Sequence, residues 1–127
     1  MIPEDWRPIH RADGERVGYV SPDGVPRTLL GTALALHDGE DGRAALAERG
    51  LTALDRRWFA RLPDELVPGV DPRRPDAAWG WHPVVVVEAG PATCRIRLWM
   101  ASPAELRITL ELPVPVGDLL LEEPPDV

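Results

Sequence analysis

The chain has no lysine, no asparagine and no glutamine, so all fourteen of its basic residues are arginine. A Walker-type phosphate loop, a pyridoxal Schiff base and a lysine nucleophile each need an ε-amino group and are excluded. Bidentate reading of adenine needs a carboxamide and is excluded as well. The missing residue types have AT-rich codons while Ala, Arg, Gly and Pro abound, a bias that a GC-rich bacterial genome explains. Arginine and proline therefore carry less functional weight here than elsewhere. A single cysteine permits no internal disulfide, in keeping with a reducing compartment. No apolar run approaches the ~18 residues of a membrane span. The start, MIPEDWRPIH, has neither the basic nor the apolar segment of a secretion signal. A cytoplasmic protein without membrane contact is expected.

The chain does have the material for a core. Its 127 residues are 44% hydrophobic, and a chain of this size buries roughly two-thirds of its unfolded surface, so one globular domain spanning 1–127 is expected. Fourteen basic against 21 acidic residues give a net charge of −7. A nucleic acid would meet net repulsion rather than release counterions, so no nucleic-acid partner is expected.

Turn chemistry and periodicity organise the chain. WRPIHR and RVGYV flank ADGE, and Asp-Gly between extended segments predicts a hairpin with a type I′ turn. In that hairpin Trp6, Pro8 and His10 would share a face with Val17 and Tyr19. After SPDG, the run PRTLLGTALAL reads as a strand with a bulge at Gly31. DGRAALAERG reads as a short helix capped by Asp41. Its apolar face would run from Ala44, Ala45, Leu46 and Ala47 to Leu51, and Gly50 would close it in the left-handed conformation. Residues 51–62 fit both helical and strand spacing, and a turn of helix yielding to a strand near Arg57 is the preferred reading. Residues 63–78, PDELVPGVDPRRPDAA, form an irregular proline-rich loop.

The last third alternates most clearly. VVVVE, TCRIRLWM and LRITLELPV read as three strands, with Met100 opposite Leu106, Leu98 opposite Ile108, Ile96 opposite Leu110 and Cys94 opposite Leu112. The other face then pairs Arg95 with Glu111 and Trp99 with Arg107. Alternate prolines in PVPVGDLLLEEPPDV suit an edge strand, and 122–127 form an acidic tail that frays.

Candidate chemistry is sparse. His10, His37 and His82 are too far apart for a helical or finger-type metal site, and neither a metal nor any cofactor is expected. Asp38, Glu40 and Asp41 fail as a calcium loop, because Arg43 stands at the glycine position and Arg49 at the bidentate glutamate position. Helix capping accounts for them. Cys94 faces inward as a small hydrophobe, and Ser21 and Ser102 precede prolines in turns without a nucleophile elbow. One constellation remains as a candidate binding surface: Trp79, Trp81 and His82 with Arg95, Arg97 and Trp99, residue types that concentrate in interface hot spots. The same side chains would serve equally as the outer cover of a sheet.

The fold class expected is α+β, a mainly antiparallel sheet of five or six strands with one short helix on one face. The expected function is a non-enzymatic protein-binding or accessory module, of inhibitor or immunity type or a homodimer, with a protein partner or self-association. The alternative is a small-ligand-binding protein or hydrolase between the 63–82 segment and the sheet, using His82 with Asp76 or Glu88.

Overall fold

Three turns of one design shape the first third of the chain. In each, a carbonyl accepts the N–H of a glycine three residues on, while the same residue's N–H donates to the carbonyl four residues on. The first runs Arg11 to Glu15 (2.9 and 2.8 Å), the second Ser21 to Val25 (2.8 and 3.1 Å) and the third Thr28 to Thr32 (both 2.9 Å). Gly14, Gly24 and Gly31 close them at φ +87°, +83° and +85°. Only the glycine is left-handed in each, so these are three-residue loops and not the expected type I′ turn, which would need Asp13 left-handed too. Asp13 and Asp23 instead brace their loops, accepting from the N–H groups of Glu15 (3.0 Å) and Val25 (3.4 Å).

The computed structural model describes residues 2–36 and 38–125; His37 and the end of the expected tail lie outside these. The first two turns join β1 (Arg7–His10), β2 (Arg16–Val20) and β3 (Pro26–Arg27) into an antiparallel sheet. Pro8 stands opposite Tyr19 as expected, but Ile9, opposite Gly18, is the buried residue of β1. The register slips between Ile9 and His10, which leaves Val17 unpaired and fully buried beside Ile9 rather than on the face of Pro8. The strand expected from Pro26 onward stops at Arg27. Its third turn folds Ala33 back against Arg27, and a Cβ on Gly31 would stand 2.5 Å from that of Pro115. Close packing against a distant segment sets this turn, which is why the local pattern hid it.

Helix α1 (Gly42–Arg49) begins as expected, with the Asp41 carboxylate accepting from Ala44 N–H at 3.2 Å. It packs on all three strands of the first sheet through Ala45 and Leu46, whereas Ala44 and Ala47 face solvent. Gly50 is right-handed (φ −57°), contrary to expectation. It is needed for space, because a Cβ would come within 2.5 Å of the Val17 carbonyl. The chain then makes one 3₁₀ turn (Thr52–Asp55) and enters β4 (Trp58–Leu62), whose alternate residues Trp58, Ala60 and Leu62 are buried. The preferred reading of this ambiguous segment holds.

Strands β4, β5 (Gly80–Ala89), β6 (Thr93–Leu98) and β7 (Leu110–Pro113) form a second antiparallel sheet in sequence order. The expected register is observed where the strands pair: Cys94 faces Leu112, Arg95 faces Glu111 and Ile96 faces Leu110. It does not extend to Met100 and Leu106 or to Trp99 and Arg107. Met100 turns left-handed (φ 53°) and a 3₁₀ turn, Glu105–Arg107, replaces the strand. Ser102 and Glu105 hold that turn with reciprocal bonds: the Ser102 N–H donates to Glu105 Oε1 (3.0 Å) and the Glu105 N–H donates to Ser102 Oγ (3.3 Å). This is a capping box, spelled S-P-A-E in the sequence.

Among the described residues seven strands thus form two antiparallel sheets, of three and four strands, with one α-helix. The α+β class stands, but the single sheet of five or six strands does not. The edges that could have merged are occupied: Ala33 bridges Arg27, and Leu121 bridges Phe59. Residues 114–121 link the sheets, with the Val116 N–H on the Leu30 carbonyl (2.7 Å) and Leu121 exchanging both backbone bonds with Phe59 (2.8 and 3.0 Å). Buried side chains of both sheets, the helix and this strap form one cluster, centred on Trp58, Leu46, Ile96, Leu112 and Leu120. At ~1.5–3 kcal/mol for each large side chain removed from water, this shared cluster is the main force joining the halves. Among the described residues, no helix is long and apolar enough to cross a membrane.

Candidate functional site

Alternation along β4 to β7 divides the second sheet into two faces. The inner face carries the buried Trp58, Ala60, Leu62, Val84, Cys94, Ile96 and Leu112. The outer face follows from the pairing: Arg61 lies beside Trp81, Phe59 beside Pro83, Val85 beside Arg97, and Arg95 beside Glu111. A register shift between Val86 and Glu88 moves Glu88 to the outer face, opposite Arg95, where the two charges stand 3.9 Å apart. Trp99 extends this face, its N–H bonded to the Pro83 carbonyl at 2.9 Å.

Of the candidate residues, Trp81, Arg95, Arg97 and Trp99 therefore share one surface. His82 follows Trp81 in an extended strand and must face the other way. It stands opposite Ala60 on the inner side, where its Nε2 is buried without a hydrogen bond and lies 3.7 Å from Oδ1 of the fully exposed Asp64. Trp79 precedes β5 in a turn closed by its own N–H on the Asp76 carbonyl (3.0 Å). The carboxylates considered as partners of His82 are engaged elsewhere: Asp76 accepts from the Ala78 N–H at 2.8 Å, and Glu88 faces Arg95. Among the described residues the carboxylate within ion-pair distance of His82 is therefore neither of these two but that of the solvent-exposed Asp64.

The surface also recruits residues that were not singled out in the sequence. The Arg61 guanidinium lies 5.2 Å from the centre of the Trp81 ring, and that of Arg57 lies 5.6 Å from the Phe59 ring. Both are cation–π contacts. The complement of the buried Trp58, Ala60 and Leu62 would have revealed Phe59 and Arg61, since the residues between buried strand positions face out. A depression of about 270 Å³ opens at one end, lined by Val85, Arg97, Leu98, Trp99, Met100 and Leu106 among others. Its walls are unusually bare: Trp99 is 45% exposed, Leu106 49% and Met100 87%. Towards the other end, Pro72 and Pro75 of the long connection meet Arg61 and Trp81 around a second hollow of about 180 Å³.

The electrostatics oppose covalent catalysis by the chain's thiol. Burial, and secondarily the charge of Glu111, push the Cys94 thiol up to about 11, so it is a neutral core group at neutral pH. Among the described residues no three His, Cys, Asp or Glu side chains come together to hold a metal ion. What the outer face offers is flat aromatic area, apolar walls and guanidinium groups, a combination suited to binding. Comparison with family models, with curated proteins and with solved structures finds no match for this chain.

Proposed function

We propose that the chain is a cytoplasmic, non-enzymatic protein-binding or accessory module that works through the outer face of its four-stranded sheet, with a protein partner and without nucleic acid. The observation that carries this reading is the exposure of Trp99, Met100 and Leu106 around one hollow beside Arg97. Exposed apolar surface of this kind on a well-packed domain marks an association site. An inhibitor-like or scaffold-like role fits a small body whose recognition surface is a rigid sheet. The test is affinity capture from the native host by the wild-type chain and by Trp99→Ala, with sedimentation of both. A partner captured by the wild type and lost by a folded Trp99→Ala supports the reading. Equal capture and equal mass for the two removes the reason for naming this face.

A further inference from the structure

We infer that the occupant of this face is an acidic segment of a partner protein, with carboxylates flanking a bulky apolar side chain. The inference rests on the protein-binding reading and adds the chemistry of the partner. The chain is acidic overall, at −7, yet four arginines, Arg57, Arg61, Arg95 and Arg97, share the outer face with Glu88 and Glu111, and with Asp118 at the hollow beside Arg61. Among the described residues Arg57, Arg61 and Arg97 have no carboxylate within ion-pair distance, and Arg95 has only the loose contact to Glu88. The molecule is thus polarised, with a locally positive sheet face set in a negative body. An acidic partner is repelled by most orientations and attracted by one, which is how charge gives specificity rather than bulk affinity.

Shape narrows the occupant further. Four strands ~4.8 Å apart make a face roughly 15 Å across, and at ~3.3 Å per residue its length runs from about 13 Å along β7 to about 33 Å along β5. That is a few hundred Å² at most, short of the ~800 Å² that each side of a standard interface buries, so a short segment fits better than a globular surface. The hollow between Trp99, Met100 and Leu106 takes one apolar side chain, and Arg97 on its rim reaches a carboxylate beside it with a two-pronged bond. A second copy docked by this face about a two-fold axis would bring two arginine-rich surfaces together. A nucleic-acid strand longer than the face would run onto the acidic body.

The test pans a displayed random peptide library on the full chain and measures selected peptides by fluorescence anisotropy at low and high salt. Expected are peptides with Asp or Glu around Leu, Ile, Phe or Trp, whose affinity falls with salt. Arg97→Gln should weaken them by about tenfold or more, while Arg97→Lys, which keeps the charge and loses the two-pronged bond, should fall between that variant and the wild type. The exposed Arg95→Gln gives an independent loss should Arg97→Gln lower the unfolding midpoint. Enrichment of basic or uncharged peptides that still lose binding in Trp99→Ala overturns the acidic occupant and leaves the protein-binding reading intact. Displacement of selected peptides by oligothymidylate at equal or lower concentration overturns both. A library that yields no binder overturns the inference, and host capture by Trp99→Ala then decides the broader reading alone.

Discussion

Two tryptophans show how position on the sheet sets the value of a residue. Trp58 is 1% exposed, and its indole N–H donates to the Ala53 carbonyl at 3.0 Å. Trp58→Ala removes a large core side chain and one of the two bonds to that carbonyl, so a loss of roughly 3–5 kcal/mol is expected in chemical denaturation. Trp99 is 45% exposed, and Trp99→Ala should cost the free monomer no more than about 1 kcal/mol. Equal losses at the two sites would make Trp99 a core residue and not a binding one. Cys94 should react with a thiol reagent near neutral pH only after unfolding; rapid labelling of the native chain would contradict its inward placement. That placement was legible in TCRIRL, where alternation assigns Cys94 to the core. Grouping His82 with Trp81 failed for the same reason, because consecutive strand residues cannot share a face.

Among the elements, β6 and β7 were readable in register because both faces made chemical sense in one alignment: Cys94 and Ile96 on leucines, Arg95 on Glu111. The run PRTLLGTALAL was not readable. Its apolar residues look like a strand, and the turn through it is imposed by Gly31 meeting Pro115 far along the chain. Replacing Gly31 with alanine should therefore cost about 2 kcal/mol or more, from the left-handed backbone and the clash together. The equivalent change at Gly14, which has open space around its Cβ position, should cost only the backbone part; similar unfolding midpoints for the two variants would contradict the packing argument. The S-P-A-E box was written plainly in the sequence, but Ser102 passes for an ordinary turn serine until Glu105 is read with it. Ser102→Ala should lower stability by roughly 1 kcal/mol. It should also loosen the wall of the hollow that Leu106 forms.

Across the whole molecule, acid should weaken the fold through its turn carboxylates. The carboxyls of Asp13, Asp23, Asp71 and Glu105 are held below the usual range. The cause is chiefly the Glu15 N–H for Asp13, the Ser21 hydroxyl for Asp23, Arg73 for Asp71 and the Ser102 N–H for Glu105. A depressed carboxyl stabilises the fold above its unfolded value, and that contribution disappears as the pH falls through the usual carboxylate range and below it. Thermal midpoints should drop over that interval, with a shallower drop in Asp23→Asn; a midpoint indifferent to acid would show that these bonds contribute nothing. The long connection is anchored by the buried Leu66 and Pro72 but leaves Arg73 and Arg74 exposed. Limited trypsin treatment should cut there before it cuts α1. The division into two sheets was not legible, since the edges that could have merged are closed by single-residue bridges at Ala33 and Leu121 that leave no periodic trace.

The bridge between Leu121 and Phe59 also has a consequence for synthesis. Translation makes β4 long before it makes the residue that seals its edge. Until Leu121 is in place, the nascent chain presents an open strand carrying Trp58, Phe59 and Leu62, the kind of edge on which other chains can template. The time on the ribosome is therefore a vulnerable one for this sequence, and variants that weaken the strap at Val116 or Leu121 should be lost to aggregation during expression by more than the fall in their thermal midpoint alone accounts for.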